Sequence, residues 1–246
     1  MMCLNCDAER IHHNPYLRII MTTKRVKLTY FDHTWGRALA IRIALRISQA
    51  KFEDKRIRFP EFLKLRTSEG QSDEVPLGFL PIVELPSGQI SSQSMSIARW
   101  AGKVAGIYPL EDFDAALLVD EVMESVLEIT DNIPPMPEGN GNHDTALKKR
   151  REYAMKVIPK YLNFLAKKYE NGGFLLGSEL SIADLIVFQV FYNIKGGFYG
   201  GVEFNDTILK YPVLSQLYED ILELDCVQQE LEADKLLYSK NEKSKF

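Results

Sequence analysis

The segment FLPIVELPSGQISSQSMSIARW, residues 79–100, contains a hairpin followed by the start of a helix. Apolar residues alternate up to a turn at PSG (86–88), and a polar run then meets a helical apolar pattern at Ser94. The first turn of a helix has backbone N–H groups without intrahelical partners and a positive dipole end. Ser94 could therefore cap the helix, or Gln93 and Ser94 could receive a carboxylate from a ligand. The segment alone favours capping, because serine is a common capping residue.

The composition limits the class of protein to which the chain can belong. The chain has 246 residues, a formal net charge of −4 and 46% hydrophobic residues. These values are ordinary for a globular protein of one or two domains, and they give no electrostatic reason to expect nucleic acid or an anionic membrane as a partner. No apolar run reaches the roughly 18–20 residues that a bilayer span needs. Sparse cysteine use fits a reducing compartment, so we expect a cytoplasmic protein.

The N-terminal residues 1–24 are predicted to be a flexible extension without the apolar core of a secretory signal. Cys3 and Cys6 form a CxxC followed by His12 and His13, but the spacing matches no zinc-finger pattern and no second CxxC follows. The pair also precedes the first predicted strand, which does not fit a thioredoxin-type redox motif. We therefore predict no metal site.

An α/β unit follows the extension. VKLTYF (26–31) alternates apolar and polar residues, residues 37–50 have helical spacing, and residues 51–59 alternate again. A short helix is predicted over PEFLKLR before the hairpin that opens the segment quoted above. The order β-α-β-(α)-β-β-α predicts one α/β domain over residues 25–108.

Strand signals are absent after residue 111. The segments from there onward have helical patterns, including one continuous pattern over 143–171. SIADLIVFQVFYNI (181–194) is apolar nearly all round, which predicts a buried helix. The second predicted domain, residues 112–238, is therefore all-α.

Four segments in this order and spacing resemble the cytosolic glutathione transferases, most closely the sigma-like group. They are KLTYF (27–31), LPIVEL (80–85), SQSMSIARW (92–100) and LSIADL (180–185). The resemblance covers roughly residues 24–235. It implies a thioredoxin-like domain that binds glutathione, an all-α domain that supplies much of the pocket for a second substrate, and a two-fold homodimer.

The resemblance also implies a set of glutathione-binding residues. Gln93 and Ser94 would hold the γ-glutamyl carboxylate and amine, so that binding and capping coexist. Pro81 would be a cis proline, and the backbone of Leu80 would pair with the cysteinyl part of glutathione. Glu124 of the partner subunit would reach the γ-glutamyl amine, unless it is an ordinary surface acid.

Tyr30 matches the family's catalytic tyrosine at the end of the first strand. A thiol has a pKa of about 8.5, and a hydroxyl that donates to its thiolate contributes roughly 1.5–3 kcal/mol. That contribution lowers the thiol pKa by about one to two units. Arg37 matches an arginine that supports the site electrostatically, unless it is only a solvated residue at a helix start. The loop between the two is one residue longer than the usual sigma-like pattern.

Three further positions depart from the family pattern. Phe59 stands where sigma-like members have a tryptophan that contacts the glycine end of glutathione, and it has no indole N–H to donate. Phe79 stands where a polar residue is common. The expected lysine falls at Leu63, with Lys64 one position away. The glycyl carboxylate would therefore be held weakly, or by Lys64 after a change of register.

The resemblance implies a glutathione transferase that attacks small apolar electrophiles in detoxification, with glutathione as co-substrate and no cofactor. The alternatives are a glutathione-dependent isomerase of the prostaglandin D synthase type and a non-catalytic glutathione-binding or structural member. Thiol transfer by an active-site cysteine is disfavoured, because no cysteine lies between Cys6 and Cys226. Ser181 and Asp184 resemble the capping box of the family's core helix, which is a stability device.

Overall fold

The computed structural model describes residues 25–33, 35–66, 70–137 and 141–243, so the N-terminal extension with its CxxC lies outside the described residues. The chain forms two compact units, and each is described by itself. The first runs to Leu110 and includes the segment from Gln228 onward, whereas the second is Glu111–Val227. The sequence predicted that the whole of 112–238 belongs to the helical domain. In the structure, the segment from Gln228 onward belongs to the first unit instead.

The first unit contains a four-stranded mixed sheet in the order β2-β1-β3-β4. β1 pairs in parallel with β2 and antiparallel with β3, and β3 pairs antiparallel with β4. This sheet and its helices confirm the predicted thioredoxin-like fold. The elements are β1 (Val26–Phe31), α1 (Leu39–Ile47), β2 (Phe52–Ile57), α2 (Phe59–Leu65), β3 (Ile82–Glu84), β4 (Ile90–Ser92) and α3 (Ser94–Ala105).

The strand register aligns three strand ends. Thr29 of β1 pairs with Ile82 of β3, which pairs with Ser92 of β4. β1 ends two residues beyond Thr29, β4 ends at Ser92, and β3 begins at Ile82. The residues next to these positions, Tyr30, Pro81 and Gln93, therefore lie along one edge of the sheet.

The first unit is closed by apolar and ionic packing. α1 is buried from Leu39 to Leu45. Removing each large apolar side chain from water contributes about 2 kcal/mol to the free energy of folding. The final helix, α9 (Asp225–Lys243), contributes Glu230, which is fully buried and forms ion pairs with Arg46 of α1 and Arg56 of β2. Because a buried carboxylate needs such partners, these pairs tie the end of the chain to the first unit.

The second unit is all-α, as predicted. The pattern over 143–171 forms two helices rather than one. Pro159 lies in the first turn of the second helix, and a proline there cannot continue a helix that began before Val157. No helix among the described residues is long and apolar enough to cross a bilayer. The helices are α4 (Phe113–Asp131), α5 (His143–Lys156), α6 (Ile158–Lys168), α7 (Ile182–Lys195) and α8 (Pro212–Leu222), with a 3-10 turn at Ile208–Lys210.

The start of α7 confirms the predicted capping box. The backbone N–H and the hydroxyl of Ser181 both donate to Oδ2 of Asp184, each at 2.7 Å. Oδ1 of Asp184 accepts from the hydroxyl of Tyr169 and the backbone N–H of Leu175, each at 2.9 Å. The buried carboxylate therefore accepts four hydrogen bonds, and it joins α7 to the chain segment before it.

Candidate functional site

The hydroxyl of Tyr30 lies where β1 ends and the chain turns toward α1. The side chain is 6% exposed, and its ring packs edge-on against the rings of Phe31 and His33. The backbone N–H of Arg37 donates to Tyr30 Oη at 3.0 Å. Because this bond uses Oη as an acceptor, the phenol keeps its own proton to donate to another group.

Gly36 allows this arrangement. Its φ of +91° lies in the left-handed region, and a Cβ added there would stand 2.3 Å from Tyr30 Oη. A side chain at position 36 would thus strain the backbone and displace the phenol. Gly36 was not among the residues predicted from the sequence. The sequence does contain a signal for it, because a glycine stands directly before Arg37 at the end of the turn-like segment DHTWG (32–36).

Buried positive charge lies behind the Tyr30 ring. Arg42 is fully buried, and its guanidinium carbon is 5.8 Å from the ring centroid. Its Nε donates to Asp54, but its two terminal nitrogens have no hydrogen-bond partner within the described part of the chain. Burial raises the pKa of Tyr30, and the Arg37 N–H and the charges of Arg37 and Arg42 oppose this rise. The phenol is therefore protonated near neutral pH and acts as a donor.

The other end of the edge is the start of α3. Gln93 occupies the N-cap position with a φ of 75°, and its side chain makes no capping hydrogen bond. Ser94 is the first helical residue and is 4% exposed. The alternative in which Ser94 caps α3 is therefore wrong, since Gln93 has that position. A strained non-glycine backbone at a helix start is a feature that commonly accompanies function.

The turn into β3 confirms the predicted cis proline. The Leu80–Pro81 bond is cis, and Pro81 is buried. Leu80 packs against the small core cluster that includes Phe62 and Val75. Phe79, directly before it, is 71% exposed. The backbone of residues 80 and 81 thus lies between the Tyr30 end and the Gln93 end of the edge.

The dimensions of this edge suit a short peptide. β1 and β4 are separated by β3, so their ends are two strand spacings apart, or about 10 Å. An extended tripeptide of about 3.3 Å per residue covers the same length. One end of such a ligand would meet the N-terminus of α3, which favours an anion, and the rest of the ligand would extend along the edge toward the phenol.

The α2 side of the edge is apolar. Phe59 is 59% exposed, and its ring lies 6.3 Å from that of Phe31 and 6.1 Å from that of Phe62. Leu63, one turn later on the same helix face, is also exposed. Lys64 is exposed in the last turn and lies about 140° around the helix from Phe59. The structure thus places Lys64 on a different face of α2 from Phe59.

Glu124 lies in the second unit, exposed on α4. The role predicted for it involves a partner subunit and stays a prediction. Among the described residues, no group of three or more His, Cys, Asp or Glu side chains could hold a metal ion.

A separate open cavity of about 430 Å³ lies in the first unit, at the other end of the sheet from Tyr30. It contains none of the predicted site residues. Its lining is basic and amide-rich: Arg25, Arg46, Gln49, Ala50, Lys51, Phe52 and Gln229.

Comparisons with known proteins agree with this fold. Residues 135–233 match the family described as glutathione S-transferase, C-terminal domain. The chain is 25% identical to S-crystallin SL11 of Nototodarus sloanii over 76% of this chain and 86% of that protein. It is 29% identical to glutathione S-transferase 3 of Caenorhabditis elegans over 65% of this chain and 76% of that protein. The prostaglandin synthase D structure of Nilaparvata lugens shares the fold, with a TM-score of 0.71, 24% identity and coverage of 85% and 98%.

Proposed function

The chain belongs to the cytosolic glutathione transferase family, and from this premise we propose that it binds glutathione along the Tyr30–Gln93 edge and activates its thiol. The γ-glutamyl carboxylate would lie at the N-terminus of α3, held by Gln93 and Ser94. The backbone of Leu80, beside the cis Pro81, would pair with the cysteinyl residue. The observation that supports this proposal most is the hydrogen bond from the Arg37 N–H to Tyr30 Oη, because it leaves the phenolic proton free to donate to a ligand at the sheet edge.

The proposed chemistry follows from that hydrogen bond. The phenol donates to the glutathione sulfur and stabilises its thiolate, which lowers the thiol pKa by about one to two units. The thiolate then attacks an electrophilic carbon of a small apolar substrate, and a carbon–sulfur bond forms as the leaving group departs. The buried Arg42 guanidinium behind the ring adds positive potential that favours the anion. Glutathione is the co-substrate, and we propose no cofactor.

The glycine end of glutathione is proposed to be held less firmly than the γ-glutamyl end. Phe59 and Phe79 provide exposed apolar surface there rather than a charged partner. Lys64 would contact the glycyl carboxylate only after a change in its side-chain direction. Affinity should therefore depend mainly on the α3 end.

Calorimetric titration with glutathione tests this proposal. We expect one glutathione per chain, and conjugation of a chloronitrobenzene by the purified protein. S-methylglutathione should bind without reaction, whereas cysteinylglycine, which lacks the γ-glutamyl group, should bind at least about tenfold more weakly. Equal affinity for cysteinylglycine and glutathione would refute the anchoring at Gln93 and Ser94.

A glutathione-dependent isomerase is the second candidate, because the fold is shared with a structure described as prostaglandin synthase D. Such an enzyme uses the same thiolate but releases glutathione unchanged. Product analysis separates the two functions: conjugation consumes one glutathione per turnover, and isomerisation consumes none. Binding of glutathione without either reaction would indicate a non-catalytic member.

A homodimer is also proposed, with Glu124 of the partner subunit near the γ-glutamyl amine. Phe113 and Leu117 lie one turn apart on α4 and are 84% and 69% exposed, which is unusual for large apolar side chains on a free surface. A role in detoxification and a cytoplasmic location are the corresponding biological proposals. Light scattering of the purified chain tests the dimer, and a monomer at micromolar concentration would refute it.

A further inference from the structure

The cavity of about 430 Å³ in the first unit lies where β1 and β2 begin, at the end of the sheet opposite to Tyr30. Three positively charged side chains and two side-chain amides line it: Arg25, Arg46, Lys51, Gln49 and Gln229. No acidic side chain is present among the described residues of its lining. The cavity therefore offers an anion several hydrogen-bond donors and a positive potential.

The sheet register places two of these cations side by side. Val26 of β1 pairs in parallel with Phe52 of β2, so Arg25 and Lys51 stand one residue before this pair on neighbouring chain segments, about 5 Å apart. Both residues are exposed, and neither has a side-chain hydrogen bond or an ion pair within the described part of the chain. Like charges in such a position repel each other, and an anion bound between them would remove that repulsion.

The third cation, Arg46, is oriented by a buried acid. Its Nε donates to the carboxylate of Glu230, which is fully buried, whereas the Arg46 side chain is 35% exposed. A guanidinium has five N–H donors, so this one bond fixes the side chain and leaves the terminal amino groups of Arg46 for a ligand. The planar fork of an arginine matches the oxygens of a phosphate group.

The turn from α1 into β2 is held by its own hydrogen bonds. The Ser48 hydroxyl donates to the Leu45 carbonyl at 2.7 Å and accepts from the Ala50 N–H at 3.2 Å. The backbone N–H groups of Ser48 and Gln49 donate to two further carbonyls of the last turn of α1. Because these carbonyls are paired, they oppose an anion in the cavity less than open helix-end carbonyls would. Gln49 has a φ of 55°, in the left-handed region, so this wall of the cavity is formed before a ligand binds.

We propose that this cavity binds a small organic phosphate, with the phosphate group held between Arg25, Arg46 and Lys51. A phosphate dianion offsets two of the three positive charges, and its oxygens accept hydrogen bonds from the guanidinium and ammonium groups. The cavity volume lies within the range of small-molecule sites, about 300–1,000 Å³, and is larger than an inorganic phosphate ion needs. Phe52 and Ala50 complete the lining, so the rest of the ligand is apolar or aromatic.

Calorimetric titration in a phosphate-free buffer tests the site. Phenyl phosphate carries both the dianion and an aromatic ring, whereas inorganic phosphate lacks the ring and phenol lacks the charge. We expect one phenyl phosphate per chain, binding of inorganic phosphate that is about tenfold weaker, and no binding of phenol. The affinity for phenyl phosphate should fall as the salt concentration rises, because the cations at the cavity are partly exposed.

Arg25→Gln and Lys51→Gln are the decisive variants, because both side chains are exposed and both variants should fold. Each should weaken binding of phenyl phosphate by about fivefold, and the double variant should weaken it by more than about tenfold. Lys167→Gln is the matched control, since it removes the same charge from an exposed position in the last turn of α6, outside the cavity. It should leave the affinity unchanged, and all variants should have the wild-type denaturation midpoint.

Four results would overturn the proposal. The first is a wild-type protein that does not bind phenyl phosphate, and the second is equal weakening in Lys167→Gln, which would indicate attraction by overall charge. One-for-one displacement by S-methylglutathione would place the phosphate at the N-terminus of α3 instead. Binding to phosphatidic acid vesicles but not to phenyl phosphate would indicate a lipid surface. The cavity shares no residue with the Tyr30–Gln93 edge, so failure of glutathione binding would leave this test intact.

Discussion

Tyr30 of the first unit and Tyr169 of the second are both buried, at 6% and 1% exposure, but their hydroxyls have opposite uses. Tyr169 donates its proton to Asp184, within a network in which the carboxylate accepts four hydrogen bonds. Tyr30 accepts a hydrogen bond from the Arg37 N–H. Its own proton is thus available for a ligand at the sheet edge.

The comparison separates polar groups that stabilise the fold from polar groups that are proposed to act on a ligand. At Asp184, donors and acceptors satisfy one another, which is the usual condition for a buried polar group. Near Tyr30, the terminal nitrogens of Arg42 have no partner within the described residues, and Gln93 has a positive φ. Incomplete pairing and backbone strain cost free energy, and no such cost arises at Asp184.

Asp184→Ala should have the largest effect of the substitutions considered. Four buried donors would lose their acceptor, so the free energy of unfolding should fall by about 3–5 kcal/mol. Guanidinium denaturation followed by circular dichroism measures this change. Asp112→Ala is the matched control, because Asp112 caps α4 at an exposed position and its loss should cost only about 1 kcal/mol. Equal costs for the two would contradict the role given to burial.

Tyr30→Phe and Tyr169→Phe should separate activity from stability. The first removes the donor to the sulfur and should lower conjugation by about 10- to 100-fold, with the unfolding midpoint nearly unchanged. The second removes one donor to a buried carboxylate and should cost about 1.5–3 kcal/mol of stability at wild-type specific activity. Rates at 25 °C and denaturation curves of both variants test this. A full rate in Tyr30→Phe would remove the phenol from the mechanism.

Gly36→Ala should act through the phenol. Its Cβ would stand 2.3 Å from Tyr30 Oη, so conjugation should fall by about tenfold, close to the lower limit for Tyr30→Phe. Gly106→Ala is the control, because Gly106 also has a positive φ, of +71°, but no atom lies within 4 Å of its added Cβ. Both variants should lose about 1 kcal/mol of stability through backbone strain, and only Gly36→Ala should lose activity. An active Gly36→Ala enzyme would show that the phenol can move without consequence.

Ser94→Ala should have the smallest effect. Loss of one hydroxyl donor at the N-terminus of α3 should weaken glutathione binding by about 1 kcal/mol, or about fivefold in KM. Ser96, exposed on the same helix, provides the control, and Ser96→Ala should leave KM unchanged. A KM that rises equally in both variants would indicate an effect on the helix rather than on the ligand.

Local sequence signals predicted much of this molecule. The strand VKLTYF, the hairpin, the cis Pro81 and the Ser181–Asp184 box are present as expected. The strand and the hairpin depend on residues close together in the chain, so pattern and spacing carried that information, whereas the cis Pro81 and the Ser181–Asp184 box were implied by the resemblance to the family. The continuous helix predicted over 143–171 was wrong for a local reason as well, since Pro159 was there to divide it.

The residues that form the candidate site were identified from the sequence only in part. Tyr30 was assigned by the family resemblance, and Gln93 by the resemblance together with its position at a helix start, whereas Gly36, Arg42 and His33 were not singled out. Their importance depends on contacts across the fold: the Arg42 side chain lies behind a ring of β1, and His33 and Tyr30 converge on Gly36. Nothing in the spacing of single residues indicates such convergence.

The sequence by itself determined the kinds and order of the elements and the two-part architecture, because hydrophobic period, proline, glycine and capping residues act within a few positions. The tertiary structure alone decided which charge lies behind Tyr30, and that Glu230 pairs with Arg46 and Arg56 of the first unit. These are relations between residues far apart in the chain or set by a single loop geometry. They exist only once packing has fixed both partners in place.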